Sequence, residues 1–204
     1  MNHTKRTAFI SGAAQGIGRR TAEILLDRGW TVGVYDISDD VAWAEGRPGA
    51  VTGHLDVRDA DEWREALRSF AEAAGGGIDV LVNNAGILYG GAFEDADTDV
   101  DERIIDVNVK GVAYGAKLGL PYLKESRGQL INLASAAAIY GTPDMATYSA
   151  SKFAVRGLTE ALDYEWRPPR HPRRRAVAAV RGHRDAGRGG HHRHVAPGHP
   201  PHRR

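Results

Sequence analysis

The chain has 204 residues and a formal net charge of +1, but that sum joins two unlike parts. Residues 1–166 hold 16 Lys+Arg against 25 Asp+Glu, whereas residues 167–204 hold 11 Arg and a single acid, Asp185. The absence of Cys excludes disulfides, thiolate metal sites and a Cys nucleophile, and no apolar run approaches the ~20 residues needed to span a bilayer.

Thr7–Ile10 is a strand candidate running into Ser11-Gly12; behind Lys5 and Arg6 it is too short for a secretory signal, so a cytoplasmic protein is expected. Ile17–Arg28 carries helical spacing (Ile17, Ala22, Leu25, Leu26), with Gly29 as the C-cap. Thr31–Tyr35 is strand-like and ends at Asp36; Val51–Leu55 is a weaker strand ending at Asp56. Asp59 with Glu62 makes a capping-box-like start for a helix through Ala74, stopped by Gly75-Gly76-Gly77. Ile78–Val82 reads as a buried strand, Val100–Lys124 as one long helix, Gln129–Ala134 as a strand, and Asp144–Trp166 as a helix ended by Pro168-Pro169. Five strands alternating with crossover-length helices predict an α/β, doubly wound parallel sheet.

Three motifs carry chemistry. In Ser11-Gly12-Ala13-Ala14-Gln15-Gly16-Ile17-Gly18, glycines between a strand and a helix let backbone N–H groups and the positive helix end approach a pyrophosphate, although a plain turn also favours Gly. Asp36 ends the next strand, where a carboxylate can hold a ribose 2′-OH and repel a 2′-phosphate. Gln15 offers no cation before Gly16, so NAD is favoured over NADP. Asn83-Asn84-Ala85-Gly86 closes a buried strand and suits either a turn or a brace beneath a cofactor. Tyr148 and Lys152 lie four apart in a predicted helix and share one face, where an ammonium favours the phenolate and so a general acid–base role. Ser135 ends the strand before them, at the end that lines the ligand crevice of a parallel sheet.

Together these residues resemble the single-domain short-chain dehydrogenases/reductases. Ser11–Gly18 looks like that family's Thr-Gly-x-x-x-Gly-x-Gly with Ser for Thr, and Asn83–Gly86 matches its Asn-Asn-Ala-Gly. Asn108 falls where the family keeps a catalytic Asn, and Ser135, Tyr148 and Lys152 match the other catalytic positions. The resemblance implies a Rossmann fold and NAD-dependent oxidation of a secondary alcohol, or reduction of the matching ketone. It also implies roles. Tyr148 exchanges the proton, Lys152 favours its phenolate and binds the nicotinamide ribose, Ser135 holds the substrate oxygen, and Asn108 holds a relay water. The cofactor is implied to lie on Ser11, Gly12, Gln15, Gly16, Ile17, Gly18, Asp36, Asp56, Val57, Asn83, Asn84, Ala85, Gly86, Tyr148 and Lys152, with Asp56 contacting adenine. No metal is implied.

After Trp166 the resemblance stops. Residues 1–166 are expected to form the NAD-binding domain, and the sheet is expected to end with its fifth strand and following helix, leaving Gln129–Ala134 as an edge. Residues 167–204 contain no Trp, Tyr, Phe, Leu or Ile, hold six of the nine Pro and seven of the nine His, and read as a disordered tail. Ala176–Val180 is their one apolar run, a poor candidate for a sixth strand. Eleven Arg could form a nucleic-acid-binding arm, but no aromatic is interleaved for stacking, which argues against it. His191-His192-Arg193-His194 has no acid or Cys beside it to complete a metal site. The family forms dimers or tetramers through its helices and C-terminal strands; the departure after Trp166 argues against carrying that assembly over. Two rival functions stay open: a non-catalytic nucleotide-binding remnant, and nucleic-acid binding through the tail.

The genetic code offers one explanation of the departure. Read one base late, the codons of Arg167–Asp185 permit a string ending Pro-Pro-Phe-Val-Asp-Thr-Ala-Met, which resembles the family's next strand, turn and nicotinamide-contacting Thr. Residues 167–204 are therefore expected to come from a shifted reading frame. Resequencing the gene across this junction should reveal a one-base change that restores the family pattern; an intact frame through Arg204 with no such fix refutes the expectation.

Overall fold

The computed structural model describes residues 5–166 and 176–181. Among the described residues six strands form one parallel sheet: β1 (Thr7–Ser11), β2 (Thr31–Asp36), β3 (Ala50–His54), β4 (Val80–Asn83), β5 (Gln129–Ser135) and β6 (Ala176–Arg181). Their order is β3-β2-β1-β4-β5-β6. The chain winds outward from β1 to β3, returns to place β4 against β1, and winds the other way. The carboxyl ends of β1 and β4 therefore flank a topological switch point, where such sheets bind ligands. Among the described residues no helix is long and apolar enough to cross a membrane.

The helices are α1 (Gly16–Asp27), α2 (Ala60–Ala74), α3 (Thr98–Ile105), α4 (Val112–Ser126) and α5 (Ala146–Glu165). Both faces of the sheet are covered, which is why its strands read as continuous apolar runs. On one face Ile10, Val32, Val34 and Val82 meet Ala22 and Leu26 of α1 and Val41 and Ala44 of a short 3-10 helix, Asp39–Ala44. On the other, Phe9, Leu81 and Leu130 meet Trp63, Leu67 and Phe70 of α2 and Ala116 and Leu123 of α4. Phe9 is the hub of that face. Its ring stacks on Tyr35 at 4.6 Å and meets Phe70 edge-on at 5.6 Å and Trp63 at 5.8 Å.

Local chemistry explains the element ends. Asp59 caps α2 by accepting from the backbone N–H of Asp61 and Glu62, and Gly75, at φ 85°, ends it in the left-handed region. Glu62 does not close the expected box on Asp59. Its carboxylate accepts instead from the Asp56 N–H at 2.6 Å, tying α2 to the loop after β3.

Three expectations are corrected. The long helix Val100–Lys124 is interrupted by a π-helical turn, Asp106–Gly111, between α3 and α4. The amide of Asn108 is engaged on two sides there, and such turns commonly mark functional positions. Helix α5 begins at Ala146, because Asp144 adopts φ 60° and its carbonyl accepts from the Gly91 N–H at 2.9 Å. The sheet does not stop at five strands. β6 pairs in parallel with β5 from Leu130↔Ala176 to Ser135↔Arg181, so β5 is not an edge. Ladder formation needs only backbone groups, which a short Ala/Val run supplies as well as a bulkier one. The remaining residues of 167–204, with the nucleic-acid arm, His-cluster and reading-frame expectations placed on them, lie outside the described residues.

The Phe9 hub sets the first structural prediction. Phe9→Ala removes a fully buried ring that three aromatics share, and should lower unfolding free energy by about 3–5 kcal/mol in urea titrations.

Candidate active site

A cleft of about 920 Å³ opens over the carboxyl ends of β1, β2, β4 and β5. Gly12, Gln15, Gly16, Ile17, Asp36, Asp56, Val57, Asn84, Ala85, Gly86, Ser135, Tyr148 and Lys152 all line it, so the tertiary fold gathers most of the sequence candidates into one hollow. Ser11, Gly18, Asn83 and Asn108 stand behind its wall.

The glycine end is built by close backbone approach. A Cβ on Gly18 would fall 2.2 Å from the Gly12 carbonyl oxygen, and one on Gly12 would fall 2.6 Å from the Ala85 Cα. Asn84 Nδ2 donates to the carbonyls of Ser11 at 3.0 Å and Gly12 at 2.6 Å. The Ser11 hydroxyl oxygen accepts from the N–H groups of Asn84 and Ala85. Gly16, at φ 58°, has open space where a Cβ would stand, and α1 begins there with no acid in its first turn and no side-chain cap from Gln15. A helix start leaves its first N–H groups without intrahelical partners. This cradle fits the pyrophosphate of a dinucleotide.

Beside it, the Asp36 carboxylate accepts from the Ala14 N–H at 2.9 Å and the Ser38 N–H at 3.1 Å, which fixes its direction at the cleft wall. Asp56 accepts a forked pair from Arg58, with Nε at 2.9 Å and Nη2 at 2.5 Å, and this guanidinium holds its carboxyl below the usual carboxylate range. Arg58 and Arg103 both line the cleft and were not among the sequence candidates. The spacing Asp56-x-Arg58 was a usable signal for the first, since the Arg58 N–H also turns back onto Asp56 at 2.9 Å. Arg103 stands one helical turn before Val107, a relation that needs the helix to be placed against the cleft.

At the other end, Ser135 closes β5 and starts a short turn, its oxygen accepting from the Ala137 N–H at 3.3 Å. Tyr148 and Lys152 project from the first turns of α5, with the Lys152 ammonium 5.6 Å from the Tyr148 ring centroid. Lys152 is only 5% exposed and donates to the Leu133 carbonyl at 2.9 Å. Burial pushes its pKa down to about 8. Asn108 is fully buried. It accepts from the Ile87 N–H at 2.9 Å, donates to the Ile87 carbonyl at 2.8 Å, and donates to the Ser151 hydroxyl at 3.1 Å. It thus clamps the loop after β4 to α5, one residue from Lys152. Asn83 likewise works from behind, donating to the Val112 carbonyl and to Asn132.

The chain is similar to known proteins in sequence and in fold. A family model described as short chain dehydrogenase matches residues 6–170. The trans-4-hydroxycyclohexanecarboxylate dehydrogenase of Sinomonas cyclohexanicum is 39% identical over 168 residues, covering 76% of this chain and 64% of the relative. The 3-alpha-(or 20-beta)-hydroxysteroid dehydrogenase of Mycobacterium tuberculosis H37Rv is 39% identical over 167 residues, 80% of this chain and 64% of the relative. The chain therefore spans just under two thirds of the length of these relatives. A Burkholderia phymatum short chain dehydrogenase/reductase solved in complex with NAD superposes with a TM-score of 0.80 at 27% identity, over 89% of this chain and 67% of that one. The Thermoplasma acidophilum aldohexose dehydrogenase gives 0.77 at 32% identity, over 87% and 66%.

Lys152 generates a prediction with a definite sign. Its folded-state pKa lies below the 10.5 of a free lysine, so the unfolded chain holds more protons between pH 8 and 10.5, and this group's contribution to stability rises with pH across that window. Lys152→Met should therefore stabilise the fold at pH 7, by about 2 kcal/mol after the lost hydrogen bond is allowed for. The advantage should shrink toward pH 10 in denaturation curves.

Proposed function

The chain belongs to the short chain dehydrogenases, and from that premise we propose that it moves a hydride between a nicotinamide cofactor and a secondary alcohol or its ketone, with NAD preferred to NADP. The observation that carries the reading is the shared cleft: Tyr148, Lys152 and Ser135 at one end, the glycine cradle and Asp36 at the other. A nicotinamide cofactor held along this cleft would supply the hydride acceptor or donor.

The chain's own residues supply the rest. The Ser135 oxygen accepts from the Ala137 N–H, which leaves its hydroxyl proton free to be donated to a substrate oxygen. The Tyr148 hydroxyl exchanges the proton with that same oxygen, taking it in alcohol oxidation and returning it in ketone reduction. The Lys152 ammonium, held beside the ring by the Leu133 carbonyl, favours the phenolate and reaches toward the ribose side of the cleft. Asn108 holds the loop and helix that set this geometry. NAD is preferred because Asp36 presents a carboxylate to the cleft while Gln15, Ile37 and Ser38 are uncharged and Arg58 is engaged by Asp56, so a 2′-phosphate would meet repulsion there. Two of the relatives named above are, by their names, dehydrogenases of a hydroxycyclohexanecarboxylate and of hydroxysteroids, in keeping with a secondary alcohol. Small-molecule chemistry is the whole proposal; no observation favours a nucleotide-binding remnant or a nucleic-acid role.

Tyr148→Phe should lower NAD-dependent turnover of secondary alcohols by roughly 10²–10⁴-fold, the range of a lost general acid–base group, while NAD affinity by calorimetry stays within about twofold. Unchanged turnover in this variant refutes the assignment.

A further inference from the structure

The peptide unit that joins Ala13 to Ala14 lies inside the glycine turn, and both of its polar groups are held. Its N–H, on Ala14, donates to the Asp36 carboxylate at 2.9 Å. Its carbonyl, on Ala13, accepts from the indole Nε1 of Trp43 at 3.3 Å. One peptide earlier, the Ala13 N–H donates to the Tyr35 carbonyl at 3.1 Å. Trp43 belongs to the 3-10 helix Asp39–Ala44 and does not line the cleft. It is half-buried, packed against the apolar cluster that α1 shares with β2. Two guanidiniums approach its ring, Arg19 at 5.0 Å and Arg47 at 5.6 Å from a ring centroid. Arg19 stands in the first turn of α1, and Arg47 pairs at 2.8 Å with Asp27, the last residue of the same helix. The indole is thus tied to both ends of the helix that starts at the cradle. A half-buried indole can leave its N–H to water. Here the N–H is directed at one carbonyl of the turn that forms the cradle.

Given the dinucleotide reading above, on which this inference rests, we propose that Trp43 is a positioning residue for cofactor recognition. A peptide unit is planar, so fixing its carbonyl also fixes its N–H. The Trp43 bond to Ala13 therefore keeps the Ala14 N–H on Asp36, and with it the direction of the carboxylate offered to a ribose 2′-OH. The same peptide directly precedes Gln15, Gly16 and Ile17, so its plane sets how the first N–H groups of α1 meet a pyrophosphate. Without the indole N–H the peptide keeps only one of its two anchors, and Asp36 loses part of its fixed direction. Trp43 acts on the cofactor only through Asp36 and the turn.

The test measures binding of ADP-ribose and of its 2′-phosphate to the full chain by calorimetry, so that no turnover is needed. Trp43→Phe keeps an aromatic ring between the arginines and removes only the donor. It should weaken ADP-ribose binding by about three- to tenfold, the range of one lost hydrogen bond. The preference for ADP-ribose over its 2′-phosphate should shrink by about threefold, because both ligands lose the cradle but only the free ribose loses Asp36. Partial unfolding scales both affinities together and leaves that ratio unmoved. Trp43→benzothienylalanine, which replaces the N–H by sulfur in a ring of the same shape, gives the same comparison should the Phe variant not fold. Trp30→Phe, at a tryptophan that also carries an arginine but lies away from the turn, should change both affinities by less than about twofold. Unchanged ADP-ribose affinity in the Trp43 variants overturns the proposal, as does an equal loss for both ligands. Absence of ADP-ribose binding by the unmodified chain overturns the dinucleotide reading itself, and this proposal with it.

Discussion

The site depends on how closely two loops approach at the switch point between β1 and β4. The carbonyl of Gly12 sits where any side chain on Gly18 would stand, and Gly12 itself lies against the backbone of Ala85. That contact joins the first strand–helix turn to the turn after β4. Asn84 bonds it by donating to two carbonyls of the glycine turn, and Ser11 returns the favour by accepting two N–H groups of the Asn-Asn-Ala-Gly turn. The result is a rigid floor with α1 aimed across it. Ser11, Gly18 and Asn83 are motif residues that do not line the cleft: Ser11 bonds the two turns, Gly18 leaves room for the Gly12 carbonyl, and Asn83 ties β4 to the Val112 carbonyl and to Asn132 of β5.

The end of the cleft that carries Ser135, Tyr148 and Lys152 is held differently, by buried polar groups. Asn108 interrupts what would be one continuous helix, and its amide clamps Ile87 on one side and Ser151 on the other. Lys152 follows Ser151 directly and is buried deeply enough to lose part of its proton affinity. A buried ammonium hydrogen-bonded to one carbonyl opposes stability, a cost carried by the surrounding core. The apolar clusters around Phe9 and Val155 supply that core, and they extend to the base of α5.

The division of the chain by charge has a structural counterpart and a structural exception. Helices and strands from Lys5 to Trp166 build both faces of the sheet, yet β6 lies within the Arg-rich segment and continues the ladder on β5. Composition describes side chains, and a ladder is made by backbone. An arginine-rich neighbourhood therefore says little about whether six residues of Ala, Val and Arg can pair.

The sequence by itself determined the parallel α/β architecture, the five strand–helix alternations and the identity of the motif residues, because strand runs, caps and glycine turns act over a few neighbouring positions. Asp59 capping α2 and Gly75 ending it were legible for that reason. So was the pairing of Tyr148 with Lys152, since four residues on a helix are one turn. The tertiary structure decided what local spacing cannot express. It split the helix at Asn108, whose partners Ile87 and Ser151 lie 21 and 43 residues away. It put Asp144 outside α5, placed Arg58 and Arg103 on the cleft, and added β6 as the partner of β5. Arg58 is held locally by Asp56, but the others follow from contacts between segments far apart in sequence, where the energy comes from packing and hydrogen bonds that exist only after the chain has folded.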